Sequence, residues 1–375
     1  MSSSHQPAAD RTALVLTGGG ARAAYQVGVL KAAAEVLPKR AHNPFSIITG
    51  TSAGAINAVA LGASANNFRL AVKKVEYLWS NLRVDQVYRA GYRDVAGSIF
   101  RLVASLFHRG IGVRKPLALL DSSPLGELLA QSINFDNLER RLEAGLLDAI
   151  GVTASSYDSG ESVTFYQSDL DGDILPAWQR SRRRGVPTRL RVEHLLASSA
   201  IPAILPATEL DGRYYGDGAL RQVSPISPAL HLGAERVMVV GVSGNPNTPP
   251  VEVNEGHSPS LAKMVGHVFN SAIIDALEND MEHLVRVNEL LGIVKNESPH
   301  AQTGGLKLVD FLCINPSVEI DQLASKHIGS LPRSMRTLLN ITGATPRGGG
   351  TSLASYLLFE GAFCSELIDS GYRDA

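Results

Sequence analysis

Residues 45–63 read FSIITGTSAGAINAVALGA, and this stretch decides the fold. Its apolar first part is typical of a buried strand, and its small residues at the end are typical of a tightly packed helix. Between them Gly50-Thr51-Ser52-Ala53-Gly54 forms a G-x-S-x-G turn, whose glycines relieve crowding around a serine in a strained backbone conformation. The pattern predicts Ser52 as an exposed nucleophile at the start of a helix.

A similar strand–turn–helix unit precedes this one. Residues 12–17 form a short apolar strand, Gly18-Gly19-Gly20-Ala21-Arg22 forms a glycine-rich turn, and apolar residues at helical spacing continue to Leu37. Two such units in succession predict a parallel sheet with crossover helices. The N–H groups of a glycine-rich turn at a helix start bind either an oxyanion or a phosphate.

A dinucleotide site is the alternative for this turn. It requires a third glycine where Ala23 stands, and an acidic residue roughly 20 positions further on. The second strand ends instead at Thr49 and the serine turn. We therefore favour an oxyanion hole beside a nucleophile.

The rest of the chain alternates helical and strand patterns. Apolar residues at helical spacing over 67–145 predict a helical insertion. Beyond it the patterns predict strands over 149–155, 162–167, 236–242 and 308–314, a hairpin over 209–215, and helices over 192–200, 261–291 and 352–368. The sequence predicts an α/β fold with a mostly parallel central sheet.

The composition limits the classes of function. The net charge is −1, so no overall basic field attracts nucleic acid, and no Cys or His spacing is typical of a metal site. No uncharged apolar run reaches about 18 residues, and the N-terminus lacks the pattern of a secretion signal. We expect a protein that uses no metal or cofactor, is cytoplasmic or peripheral to the membrane, and has a disordered tail over 1–11.

A third motif, Gly216-Asp217-Gly218-Ala219, follows the aromatic pair Tyr214-Tyr215. An aspartate between glycines is usually no more than a turn residue. Because it follows both the glycine-rich turn and the serine turn along the chain, we consider Asp217 a candidate functional residue.

Together the three motifs resemble the patatin-like phospholipase family. Residues 18–30 (GGGARAAYQVGVL) are similar to the family's oxyanion block, and residues 50–57 (GTSAGAIN) to its nucleophile block. Residues 198–225 (SSAIPAILPATELDGRYYGDGALRQVSP) resemble the block that ends in an aspartate. The resemblance covers residues 12–242 in order and implies a three-layer fold with helices on both faces of the sheet.

The resemblance implies a lipid acyl hydrolase with a Ser–Asp dyad. Ser52 would attack a carboxylic ester of a phospholipid or related lipid, and Asp217 would accept its proton. The oxyanion would be held by the amides of Gly18, Gly19, Gly20 and Ala21, with Gly50, Gly54, Gly216, Gly218 and Ala219 in support. Arg22 would add positive charge near the oxyanion, or would be a solvated arginine at the helix start. The family's pattern is not matched at Ala23, Ala219 and Gln222, which replace two glycines and a common asparagine.

Two further segments allow more than one interpretation. Six arginines, Arg180, Arg182, Arg183, Arg184, Arg189 and Arg191, form either an exposed basic linker or a contact for lipid headgroups. The apolar stretch 95–107 either packs in the core, lines an acyl channel or docks on a bilayer, so transient contact with a membrane surface is one expectation. We place the catalytic domain at 12–317 and a C-terminal helical extension, packed on that domain, at 318–375.

Other functions stay open. A Ser-His-Asp triad would need a downstream histidine, but only one strand and one helix precede Ser52, which favours the dyad. The candidate histidines would be His257, His267, His283, His300 and His327. An acyltransferase or thioesterase would use the same acyl-enzyme, and a lipid-binding regulator would keep the fold without turnover.

Overall fold

The computed structural model describes residues 11–92, 95–98, 100, 116–169, 175–243, 261–271, 276–297, 306–342 and 351–375. Within these ranges ten strands form one mixed sheet with helices on both faces, so the predicted three-layer α/β fold is confirmed. The strands are β1 Thr12–Leu16, β2 Ile47–Thr51, β3 Ala149–Ser156, β4 Ser162–Ser168, β5 Trp178–Arg180, β6 Arg183–Pro187, β7 Thr208–Leu210, β8 Arg213–Asp217, β9 Arg236–Val240 and β10 Asp310–Ile314.

The sheet is parallel on one side and mixed on the other. Its order is β10-β9-β1-β2-β3-β4-β6-β5, and β8 joins β3 and β7 away from this path. The strands β10, β9, β1, β2 and β3 are all parallel, whereas β4 runs antiparallel to β3 and β5 antiparallel to β6. The carboxyl ends of the parallel strands therefore meet at one edge of the sheet, where catalytic residues of α/β folds gather.

Fourteen named helices are described along the same ranges. They are α1 Ala24–Val36, α2 Ala53–Ala63, α3 Phe68–Ser80, α4 Val84–Val87, α5 Ser123–Ser132, α6 Asp136–Glu143, α7 Val192–Ser198, α8 Ser227–His231, α9 Leu261–Asn270, α10 Ala276–Glu297, α11 Ile320–His327, α12 Arg333–Thr342, α13 Thr351–Leu357 and α14 Gly361–Asp374. Short 3₁₀ turns occupy Gly20–Ala23, Gly218–Leu220 and Ile328–Ser330. None of the described helices combines the length and apolarity needed to cross a bilayer.

Alternation along the central strands divides the interior into two cores. Leu14, Leu16 and Ile48 face one side, where α1, α2, α3 and α14 contribute to a large apolar cluster. Ala13 and Val15 face the other side, against α8 and α10. Because side chains of a strand alternate between faces, each central strand serves both cores.

The prediction of a single terminal helix over 352–368 is wrong in one respect, because the structure has two helices here. The chain leaves α13 after Leu357 and enters α14 at Gly361. The N–H of Gly361 donates to the carbonyl of Leu82 at 2.8 Å, which takes it out of a continuous helical ladder. The bend carries Phe359 onto the ring of Trp79, with 6.3 Å between ring centroids.

The prediction of an exposed linker over the arginine-rich segment is also wrong in part, because some of the segment forms strands. Its first half forms the strands β5 and β6, joined by a turn at Ser181 and Arg182. The long helix predicted over 261–291 is described as α9 and α10, on either side of residues 272–275, which lie outside the described ranges. Most of the stretch 95–107 also lies outside them, although Val95 is in the core.

The C-terminal helices share the core of the preceding residues. α14 packs along α1 so closely that a Cβ on Gly28 would lie 1.9 Å from the carbonyl oxygen of Ile368. Phe363 and Leu367 of α14 are fully buried in the same cluster as Leu14. The last 25 residues are thus packed into the large core.

Candidate active site

Ser52 lies in a strained turn between β2 and α2. Its backbone has φ 54 and ψ −131, a conformation that residues with a side chain rarely adopt. The turn is possible because Gly50 and Gly54 pack closely: a Cβ on Gly54 would lie 2.4 Å from the carbonyl oxygens of Leu16 and Thr17. The side chain of Ser52 is placed at the N-terminus of α2, where the helix dipole favours negative charge.

Asp217 ends β8 and meets Ser52 directly. The hydroxyl of Ser52 donates to Oδ2 of Asp217 at 2.6 Å, while Oδ1 accepts from the N–H of Ala219 at 2.9 Å. Residues 165 positions apart meet because β2 and β8 lie end to end along the same edge of β3, where Thr51 pairs with Thr153 and Asp217 pairs with Ala154. Ser52 is 3% exposed and Asp217 is 4% exposed.

Burial changes the acidity of this carboxyl group. Desolvation raises the pKa of Asp217 from its ordinary 3.8 to about 6, against the hydrogen bonds from Ser52 and Ala219, which lower it. A carboxylate with a pKa near 6 is a stronger base than an ordinary aspartate and is still ionised at neutral pH. The pair can therefore transfer a proton from Ser52 to Asp217.

The glycine-rich turn lies beside the dyad. Gly19 and Gly20 line the cavity at Ser52, and a Cβ on Gly18 would lie 3.1 Å from Cβ of Ser52. Within the described ranges, the amides of Gly19 and Gly20 meet no acceptor. Ala21 is buried in the 3₁₀ turn that leads into α1. Free amides beside a nucleophile are the arrangement that stabilises an oxyanion.

A substitution at Gly20 tests how closely this turn approaches α13. Its φ is +56, and a Cβ there would lie 2.2 Å from the carbonyl oxygen of Tyr356 in α13. We expect Gly20→Ala to lower the free energy of unfolding by about 2–4 kcal/mol, from left-handed strain plus overpacking. Gly145→Ala is the matched control, because Gly145 has φ +64 with nothing within 4 Å of its added Cβ.

The control should lose only about 1 kcal/mol, the cost of the left-handed conformation. Urea unfolding of both variants measures the difference. Equal losses would contradict the close approach between Gly20 and α13.

Buried hydrogen bonds hold the serine turn from behind. The hydroxyl of Ser198 accepts from the N–H of Ser52 at 2.8 Å and donates to the carbonyl of Thr153 at 2.6 Å. The hydroxyl of Thr51 donates to Oε1 of Gln222 at 2.5 Å. Gln222, a departure from the family pattern, therefore does support the turn. Sequence reasoning missed Ser198, although it lies within the block that resembles the family.

A second buried chain ties the glycine-rich turn to α2. The amide of Gln26 donates to the carbonyl of Thr17 at 2.8 Å, and the amide of Asn57 donates to Oε1 of Gln26 at 3.0 Å and to the carbonyl of Ala23 at 3.1 Å. These bonds fix the turn relative to the helix that follows Ser52. Such preorganised donors do not need to reorient during a reaction.

Arg22 is neither solvated nor part of the cavity lining, so the interpretation as a solvated arginine is wrong. It is 3% exposed, and its guanidinium bonds Oδ1 of Asp321 at 2.6 Å and the hydroxyl of Ser355 at 2.8 Å. It also lies 4.1 Å from the ring centroid of Tyr356. A buried arginine needs such partners. Here they come from α11 and α13, so Arg22 fastens α13 beside the glycine-rich turn.

α13 closes the cavity over Ser52. The apolar side chains around the dyad are Ile201, Ile204, Leu220, Leu353, Tyr356 and Leu357, the last three from α13. The cavity encloses about 10 Å³, which is about the space of one water molecule. No sequence motif indicated that α13 would lie here.

The remaining predicted glycines support Asp217, and the described histidines do not reach the dyad. A Cβ on Gly218 would lie 2.1 Å from the carbonyl oxygen of Thr153, and one on Gly216 would meet the ring of Tyr157. His267 and His283 are exposed, and His327 bonds Glu366 at 2.6 Å. His257 and His300 lie outside the described residues. Within those residues no set of acidic, histidine or cysteine side chains could hold a metal ion.

Comparison with known families gives one match. The family profile described as Patatin-like phospholipase matches residues 14–230, which is more than half of the chain. This range contains both Ser52 and Asp217, and it ends before α13. No curated protein matches the sequence well enough to be counted as a relative.

Several solved structures are distantly similar. VipD from Legionella pneumophila is 13% identical with a TM-score of 0.31, over 96% of this chain and 67% of that one. Human GIVD cytosolic phospholipase A2 with methyl gamma-linolenyl fluorophosphonate is 10% identical with a TM-score of 0.37, over 97% and 59%. ExoU in its complex with SpcU from Pseudomonas aeruginosa is 15% identical with a TM-score of 0.30, over 92% and 68%. The chain spans only part of each, and such scores carry no argument about its activity.

Proposed function

The chain belongs to the patatin-like phospholipase family, a family of lipid acyl hydrolases, and we propose that it cleaves carboxylic esters of lipids through Ser52 and Asp217. The observation that carries the proposal is the 2.6 Å hydrogen bond from the hydroxyl of Ser52 to Oδ2 of Asp217, beside the amides of Gly19 and Gly20. A strained serine, a base with a raised pKa and unpaired amides together fit acyl transfer.

The reaction would begin with attack of Ser52 on the ester carbonyl carbon. The proton of Ser52 passes to Oδ2 of Asp217 as the new C–O bond forms, and the amides of Gly19 and Gly20 receive the oxyanion. Collapse of the tetrahedral intermediate expels the alcohol, which takes the proton from Asp217 and leaves an acyl-enzyme. Water then attacks the acyl-enzyme, again giving its proton to Asp217, and the fatty acid leaves as Ser52 regains a proton.

Access of the lipid requires α13 to move. A cavity of about 10 Å³ holds no acyl chain, since sites for lipid-sized ligands enclose roughly 300 Å³ or more. The side chains Leu353 and Leu357, which α13 places over the dyad, are apolar, and so are Ile201, Ile204 and Leu220 around it. Displacement of Leu353 and Leu357 would therefore expose a surface suited to an acyl chain.

A fluorophosphonate probe tests the proposal directly. The reagent should form one covalent adduct, at Ser52, and labelling should disappear in Ser52→Ala. Incubation with phospholipid vesicles should release free fatty acid from wild type alone. An adduct at another residue, or hydrolysis by the Ser52→Ala variant, would overturn the assignment.

The pH profile follows from the acidity of Asp217. Since the base must be ionised and its pKa is raised to about 6, we expect kcat/KM to be level above about pH 7 and to fall about tenfold per pH unit below pH 6. Hydrolysis of a soluble ester from pH 4.5 to 8.5 measures the profile, with circular dichroism as the check that the protein stays folded. A profile that stays level down to about pH 5 would contradict Asp217 as the base.

A further inference from the structure

The turn between β5 and β6 lies at the same edge of the sheet as the dyad. One row across four neighbouring strands contains Arg184 of β6, Val163 of β4, Ala154 of β3 and Asp217 of β8. Three strand spacings separate the ends of this row, a distance of about 14 Å. The strand β6 begins at Arg183, which is level with the carboxyl end of β3. The turn at Ser181 and Arg182 therefore borders the edge of the sheet that holds Ser52 and Asp217, here called the catalytic edge.

The arginines of this segment divide into paired and unpaired groups. Three of the six pair with carboxylates: Arg184 with Glu161, Arg189 with Asp136 and Glu139, and Arg191 with Glu193 and Asp211. Arg180, Arg182 and Arg183, at the turn itself, form no ion pair with any described residue. Three carboxylates reduce this positive charge: Asp158 in the adjacent turn between β3 and β4, Asp280 near Arg183, and Glu209 beside Tyr214. Arg180 and Arg182 are exposed and give the turn its positive charge.

Two tyrosines extend this surface toward the dyad. Tyr157 is 52% exposed and Tyr214 is 37% exposed, and the N–H of Tyr157 donates to the carbonyl of Tyr214 at 3.0 Å. Tyr157 directly follows β3, and its ring packs against Gly216, one residue before Asp217. Exposed tyrosines beside arginines are typical of surfaces that meet the boundary between water and lipid.

We propose that this surface, the basic edge defined by Arg180, Arg182, Arg183, Tyr157 and Tyr214, docks on a bilayer that contains anionic lipids. A flat membrane laid on the basic edge places the arginines at phosphate groups and the tyrosines at the interface. The same orientation turns the catalytic edge toward the lipids. The choice of a membrane over an acidic protein rests on the proposed function, because the substrate of a lipid hydrolase is held in a bilayer.

Vesicle sedimentation with paired charge variants tests the proposal. All proteins carry Ser52→Ala so that no lipid is consumed, and the vesicles are phosphatidylcholine alone or phosphatidylcholine with phosphatidylglycerol. The test variant is Arg180→Gln with Arg182→Gln, two exposed residues of the turn. The control is Lys39→Gln with Arg40→Gln, an equal charge change at exposed residues before β2, at the opposite edge of the sheet.

The protein without charge changes and the control should bind the anionic vesicles equally. The test variant should bind them about tenfold or more weakly, with the difference shrinking at high salt. Equal binding by test and control variants would overturn the proposal. So would a protein that binds an acidic polypeptide but not anionic vesicles, since that result identifies a protein partner.

A separate assay keeps this test independent of the proposed function. With Ser52 intact, both charge variants should hydrolyse a soluble short-chain ester at the unchanged rate. Loss of vesicle binding with normal ester hydrolysis supports docking through the basic edge. Absence of ester hydrolysis in every protein would contradict the proposed function, while the sedimentation result would still decide the docking proposal.

Discussion

Ser52→Ala should lower kcat for ester hydrolysis by about 10⁴-fold or more and leave the protein folded. Alanine keeps the small side chain that the turn accommodates and removes the hydroxyl oxygen proposed to form the acyl-enzyme. Release of free fatty acid from vesicles measures the loss, and thermal unfolding shows that the fold is retained.

Ser199→Ala is the matched control for this change. Ser199 is a buried serine close in sequence to Ser198, and its hydroxyl has no hydrogen-bond partner among the described residues. Its removal should leave kcat within about twofold of the wild-type value. An equally large loss in both variants would mean that Ser52→Ala acts through the packing of this region and not through the nucleophile.

Asp217→Asn should separate activity from stability. Without a base, kcat should fall by about 10²–10⁴-fold. At pH 8 the free energy of unfolding should instead rise by about 2–3 kcal/mol, because the wild-type protein must bury an ionised carboxylate there. The asparagine amide can accept from the N–H of Ala219 through Oδ1 and donate from Nδ2 to the hydroxyl oxygen of Ser52, so both contacts are kept with Ser52 now the acceptor.

The pH dependence of this gain has a definite sign. In the folded protein Asp217 has a pKa of about 6, above its ordinary 3.8, so the folded state holds the proton more tightly than the unfolded state. Wild-type stability from this group is therefore present below about pH 4 and is lost as the pH rises to about 6. Urea unfolding should show little difference between the two proteins at pH 4 and the full difference at pH 8. A variant less stable than wild type at pH 8 would contradict the burial of a charged Asp217.

The central part of the site could be predicted because its residues occupy local patterns. Ser52 and Asp217 each lie in a glycine-containing turn at the end of a strand, and glycine leaves a clear mark in a sequence. The parallel strands β1 and β2 bring the glycine-rich turn and the serine turn to one edge of the sheet, whereas Asp217 comes from β8, which is antiparallel to β3. The contact between Ser52 and Asp217 depends on β3 pairing with β8, which follows from the fold and not from either motif.

The parts that were missed depend on contacts between distant segments. The strand β5 has three residues and β6 is rich in arginine, so neither has the alternation that predicts a strand. The break between α13 and α14 arises where Gly361 bonds Leu82, 279 positions away in the chain and in another layer of the fold. Ser198 resembles any serine near a helix end until its bond to Ser52 is seen.

The buried contacts of Arg22 with Ser355 and Tyr356 of α13 affect how the substrate preference of this protein can change during evolution. The proposed dyad of Ser52 and Asp217 lies within residues 14–230, while α13 begins more than a hundred positions further on and touches the same cavity. Substitutions in α13 can alter which esters are admitted while the hydrolytic apparatus stays untouched. Selection on substrate choice can thus act on the one short segment α13.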